Sequence, residues 1–137
     1  FGRSIGSGPT VDLVSRHPEI GAMVLQSPLE SGTRAVLGPQ ASCVVYKLDI
    51  FRNYEKVNNI GCPSLVIHGM RDSVVPYSNG KAIYAQLPNA VEPFWVESCG
   101  HNDMPELECL RRVRTFLDFV QAQNLTPAMS ALEAVEE

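Results

Sequence analysis

The chain has little from which to build a metal site or a disulfide framework. Its four cysteines, Cys43, Cys62, Cys99 and Cys109, are scattered over 137 residues, with no C-x-x-C pair and no Cys/His spacing suited to zinc. They read as reduced intracellular thiols, mostly small buried residues. Basic residues are also few: eleven Lys and Arg stand against fifteen Asp and Glu, a formal net charge of -4, so nothing offers the cationic footprint of a nucleic-acid binder. Charges of both signs are interspersed rather than gathered in runs. No apolar run approaches the roughly 18 residues needed to cross a bilayer, and no signal peptide stands before the first motif. The composition therefore reads as soluble.

What is present is a globular balance, 45% hydrophobic and 19% charged, in the length of one ordinary domain. The chain opens with Gly2-Arg3-Ser4-Ile5-Gly6, a G-x-S-x-G pentapeptide running into an apolar-periodic stretch. This is the sequence form of a nucleophile elbow, which sets a serine on a sharp strand-to-helix turn. Such a serine needs a positive φ and close backbone neighbours, and Gly2 and Gly6 are expected to remove the collisions on either side. The plain alternative is a Gly/Ser-rich turn, so the motif needs partners. A strand should precede the elbow, yet only Phe1 does, and there is no initiator methionine. The sequence is accordingly expected to be the C-terminal half of a larger enzyme.

Beyond the elbow, Val11, Leu13 and Val14 supply one face of a helix that should begin near Pro9 and end by His17. Ile20–Leu25 reads as a short buried strand. Residues 28–61, broken by Gly32, Gly38, Pro39 and Gly61, read mostly as loop with a short helix over Tyr54–Asn59. Ser64–His68 is a second apolar strand, and Gly69 to Asp72 form the loop after it. Pro76–Leu87 reads as a helix and Pro93–Val96 as a third strand, ending at Cys99-Gly100-His101. Leu107, Leu110, Val113, Leu117 and Val120 then form the apolar stripe of a last helix. Residues 1–123 are expected to form a partial domain and 124–137 a frayed tail. Strands alternating with helices predict the α/β class, a parallel sheet covered on both faces with its site at the carboxyl ends of the strands.

Ser4, Asp72 and His101 each fall just past such an end. A serine hydroxyl becomes a useful nucleophile only when a base accepts its proton, and the base needs a carboxylate to set its tautomer and steady its cation. The order Ser, Asp, His is that of the α/β hydrolases. His101, between Gly100 and Asn102, is the candidate base. Its rivals are His17, better read as a helix C-terminal residue, and His68, better read as a packed residue shaping the Asp72 loop. Asp72 is the candidate acid, with Asp49 one strand earlier and Asp103 too near His101 to orient it easily. The Ile5 backbone N–H, at the start of a helix, is the expected oxyanion donor. A second donor normally comes from a loop far upstream, so the 137-residue chain alone is expected to be inactive or nearly so.

The segments GRSIGSGPTVDL, SPLESG, CPSLVIHGMRDSVVPYSNGKAIY and VEPFWVESCGHND closely resemble the alpha/beta-hydrolase-domain-containing protein 17 group of Bem46-like serine hydrolases, from about Phe1 to Phe119. The resemblance rests on Arg3, Gly8-Pro9, the HG-x-x-D segment and GHND in matching places. It implies a protein depalmitoylase, which hydrolyses the thioester joining a fatty acyl chain to cysteine, with its catalytic residues at Ser4, Asp72 and His101. It also implies a parent protein with a cysteine-rich, acylated N-terminus held at the cytoplasmic face of membranes. The expected partner is an acylated protein or a small acyl ester, with no metal and no cofactor. A general carboxylesterase, a serine peptidase and a non-catalytic binding module of the same fold are the alternatives.

Overall fold

The computed structural model describes residues 1–35 and 49–133, with side chains as far as residue 123. Four short strands, β1 (Gly2–Arg3), β2 (Met23–Gln26), β3 (Ser64–Gly69) and β4 (Phe94–Val96), form one parallel sheet in the order β1-β2-β3-β4. Among the described residues, the helices packed on it are α1 (Ser7–Arg16), α2 (Tyr77–Gln86) and α3 (Glu106–Glu133).

The two-residue period of the strands sorts the core into two layers. Met23 and Leu25 of β2 and Val66 of β3 pack with Val11 and Val14 of α1 and Ile83 of α2. The alternate residues, Val24, Leu65 and Ile67, face α3 and meet Cys109, Phe116 and Val120. Leu25, Leu65, Val66 and Ile67 are wholly buried, each contributing roughly 1.5–3 kcal/mol as an apolar side chain taken out of water. This is the α/β class expected from the alternation of strands and helices.

The differences from the sequence reading have local causes. β2 starts at Met23 rather than Ile20, because the Ile20 N–H turns back to the His17 carbonyl and the first ladder bond runs from the Met23 N–H to the Pro63 carbonyl. α1 starts at Ser7, two residues before Pro9. Proline is tolerated in that first turn, where its missing N–H would have had no partner. The short helix expected over Tyr54–Asn59 is two 3-10 turns, Asn53–Glu55 and Val57–Asn59, consistent with the low helix propensity of the Val-Asn-Asn run.

The apolar stripe of α3 is rotated from the expected one. Cys109, Phe116 and Val120 are buried with Val113 packed beside them, while Leu107 and Leu110 are 62% and 58% exposed. Both stripes recur at three- and four-residue steps, and the sheet takes the one that buries the Phe116 ring. The backbone of α3 stays helical past Gln123 to Glu133, and residues 134–137 of the expected tail lie outside the described residues. Cys43 and residues 36–48 of the expected loop also lie outside them. Cys62, Cys99 and Cys109 are unpaired thiols, of which Cys109 is buried. Among the described residues no helix is long and apolar enough to cross a membrane.

Candidate active site

Ser4 leaves β1 with φ at 52° and opens a 3-10 turn, Ser4–Gly6, that runs directly into α1. A positive φ on a residue with a Cβ costs energy, and the elbow predicted from the pentapeptide requires it. The turn is braced by Ser7, whose buried hydroxyl donates to the Ser4 carbonyl at 2.7 Å and accepts the Leu29 N–H at 3.3 Å. Gly2 is sterically required, since a methyl group there would overlap Thr10 of α1. Gly6 is not, contrary to expectation: a Cβ at that position meets no atom among the described residues. The Ile5 N–H lies in the first turn after Ser4, where no intrahelical acceptor exists, and the Ile5 side chain is 64% exposed.

Asp72 follows β3. Its Oδ1 accepts the Val74 and Val75 N–H groups at 2.9 and 2.8 Å, closing an Asx-type turn, and its side chain is buried. Burial pushes the carboxyl up, but the His101 ring and the two backbone N–H groups outweigh it, so Asp72 titrates below the usual carboxylate range. It is therefore ionised at neutral pH.

His101 is carried on the loop after β4. That loop is held against the Asp72 loop by ladder-like bonds from the Met70 N–H to the Val96 carbonyl and from the Arg71 N–H to the Cys99 carbonyl. Asp103 braces it by accepting the Gly100 N–H at 2.6 Å. The Arg3 guanidinium ties it to the elbow, donating to the His101 carbonyl at 3.1 Å.

The three groups meet. His101 Nδ1 lies 2.7 Å from Asp72 Oδ2, and its Nε2 lies 2.9 Å from Ser4 Oγ. An ionised carboxylate can only accept, so Nδ1 carries the ring proton and Nε2 presents its lone pair. The Ser4 hydroxyl then donates to Nε2, the arrangement in which a ring draws a proton from a hydroxyl about to attack an electrophilic carbon.

Of the rivals, His17 and Asp49 lie elsewhere, while His68 stands beside Asp72 at the far end of its turn. His17 is exposed beside the Glu19 carboxylate at 2.9 Å, at the C-terminus of α1. Asp49 accepts the Thr33 N–H at 2.9 Å in the loop after β2. His68 is wholly buried at the end of β3, its Nε2 3.0 Å from the Val75 carbonyl. Sequence reasoning missed Ser7 and the tether from Arg3, although Arg3 sits inside the motif. No group of three His, Cys, Asp or Glu side chains among the described residues is placed to hold a metal ion.

No family model matches the chain. It is 45% identical over 120 residues to the alpha/beta hydrolase domain-containing protein aho-3 of Caenorhabditis elegans, covering 86% of this chain and 35% of that protein. It is 44% identical over 119 residues to the alpha/beta hydrolase domain-containing protein 17C of Homo sapiens, covering 85% of this chain and 35% of that protein. The chain thus spans about a third of the length of these curated relatives. In fold it is similar to the esterase RhEst1 from Rhodococcus sp. ECU1013, with a TM-score of 0.64 at 19% identity, covering 85% of this chain and 63% of that one. Its sheet and helices form part of an α/β-hydrolase fold, and in sequence the chain matches members of the alpha/beta hydrolase domain-containing protein 17 group over about a third of their length.

Proposed function

We propose that this chain carries the catalytic residues of a serine hydrolase that cleaves acyl thioesters and esters, with an S-palmitoylated protein as substrate. The observation that carries the reading is the His101 ring bonded at once to Ser4 and to Asp72. In the first half-reaction Ser4 Oγ attacks the acyl carbonyl carbon while His101 Nε2 takes the hydroxyl proton. Asp72 steadies the imidazolium, and the Ile5 N–H meets the oxyanion. His101 then returns the proton to the departing thiol or alcohol, leaving the acyl group on Ser4. In the second half-reaction His101 takes a proton from water as its oxygen attacks the acyl-enzyme, then gives that proton to Ser4 Oγ as the acyl–oxygen bond breaks, which releases the fatty acid and restores Ser4.

Thioester, ester and amide hydrolysis share this machinery, so the substrate class rests on other support. The sequence resemblance points to depalmitoylation at the cytoplasmic face of membranes. Ile5, next to the nucleophile, and Val74, two residues past the acid, are 64% and 58% exposed, which suits a fatty acyl chain.

The test is labelling of the intact protein by a fluorophosphonate probe, followed by turnover of one peptide bearing palmitate as thioester, ester or amide. Labelling lost in Ser4→Ala, with the thioester cleaved fastest, is expected. Equal labelling of wild type and variant would favour a binding module, and preferred cleavage of the amide would favour a peptidase.

A further inference from the structure

His68 is a second histidine on the carboxylate of Asp72, and its surroundings leave it one way to act. It stands on the same face of β3 as Val66, beneath α2, with no exposed surface. Tyr77 meets its ring edge-on, with centroids 5.9 Å apart. Its Nδ1 has no hydrogen-bond partner and lies against Gly80, where any Cβ would overlap it. A glycine inside a helix is unfavourable, and here it makes room for the ring.

The remaining nitrogen, Nε2, lies 3.0 Å from the Val75 carbonyl oxygen and 3.4 Å from Asp72 Oδ2. Both are acceptors, so Nε2 carries the proton and the ring is neutral with a bare Nδ1. Burial likewise holds the ring below the ordinary histidine range. The Nε2–H thus bonds to the Val75 carbonyl at one end of the Asp72–Val75 turn, and its positive edge faces the Asp72 carboxylate at the other. The terminal torsion of an aspartate is broad, so which oxygen faces His101 is set by hydrogen bonds rather than by rotamer preference.

We propose that His68 is a positioning residue: its Nε2–H closes the acid turn and holds Asp72 Oδ2 toward His101. The inference rests on the serine-hydrolase reading and deepens it.

The test uses the intact protein and the kinetics of fluorophosphonate labelling, separating the rate at saturating probe from the half-saturating concentration. His68→Phe keeps a ring and removes the donor. His68→Gln places an amide N–H about where Nε2 sits, and His68→Asn falls a bond short of it. Misplacing a catalytic group by about 1 Å costs on the order of 10²-fold. We expect the saturating rate per folded molecule to fall at least about tenfold in the Phe and Asn variants, with half-saturation unchanged and Gln restoring it to within about threefold. Wild-type rates in the Phe variant, or equal losses in Gln and Asn, would overturn the proposal. If the variants do not fold, the nitrogen chemical shifts of wild-type His68 decide: a neutral ring protonated at Nε2 supports the proposal, and one protonated at Nδ1 overturns it. Labelling that persists in Ser4→Ala would instead refute the serine-hydrolase reading itself.

Discussion

Gly69 and Cys99 meet backbone to backbone: a methyl group at Gly69 would overlap the Cys99 carbonyl oxygen and that of Gly100. The end of β3 and the loop carrying His101 are thereby packed as closely as two chains allow. Gly69→Ala must push that loop outward, and with it the ring. Because displacement by about 1 Å costs on the order of 10²-fold, labelling of Ser4 in this variant should be slower by about that factor. The expected result is a folded protein by circular dichroism with slow labelling.

Asp72→Asn should be more damaging than its size suggests. An asparagine can turn its amide N–H toward His101 Nδ1, which moves the ring proton to Nε2 and leaves no lone pair for the Ser4 hydroxyl. A fall of about 10⁴ in turnover is the expected scale for such a tautomer change. Asp49→Asn, whose side chain serves the Thr33 N–H instead, should stay within about threefold of wild type. Steady-state hydrolysis of a chromogenic acyl ester by the intact proteins checks both.

The buried His68 should leave a signature in stability against pH. Its folded pKa is held below the ordinary 6.5, chiefly by burial. Below pH 6.5 the unfolded chain takes up a proton that the folded ring refuses, so the unfolded state binds more protons and stability falls with pH until the folded pKa is reached. Above 6.5 the group contributes nothing to the slope. Thermal melts at pH 7.5 and 5.5 should therefore differ more in wild type than in His68→Gln.

In the proposed mechanism the Ile5 N–H is one oxyanion donor, and the 137-residue chain spans about a third of its relatives' length. Losing one such donor costs about 10² to 10³ in turnover. Ester hydrolysis by this chain alone should be lower than that of the intact protein by at least that factor. β1 is also an edge of the described sheet, so self-association is expected in analytical ultracentrifugation. Full activity from the isolated chain would contradict the first expectation, and a monomer at every concentration in the ultracentrifuge the second.

Much of the site was legible because chemistry and topology constrain the same residues. A serine inside G-x-S-x-G, an aspartate four residues past an apolar strand and a histidine after the next strand lie at the same end of a parallel sheet, and Ser4, Asp72 and His101 meet there. Other features depended on contacts that no local pattern encodes. Two stripes on α3 share one periodicity, and only the sheet chooses Phe116 over Leu110. The start of β2 is set by the Pro63 carbonyl across the sheet. His68 was legible as a packed residue that shapes the Asp72 loop, but its proton is assigned only once Val75 and Gly80 are seen on either side of the ring.

The most direct measurement is mass-spectrometric mapping of the phosphonate adduct on the intact protein after probe labelling. The adduct is expected on the peptide that contains Ser4, at one phosphonate per chain, and it should disappear in His101→Ala as well as in Ser4→Ala. An adduct on any other residue, or labelling of Ser4 that proceeds unchanged without the His101 ring, would contradict the assignment of Ser4, His101 and Asp72 as one catalytic unit.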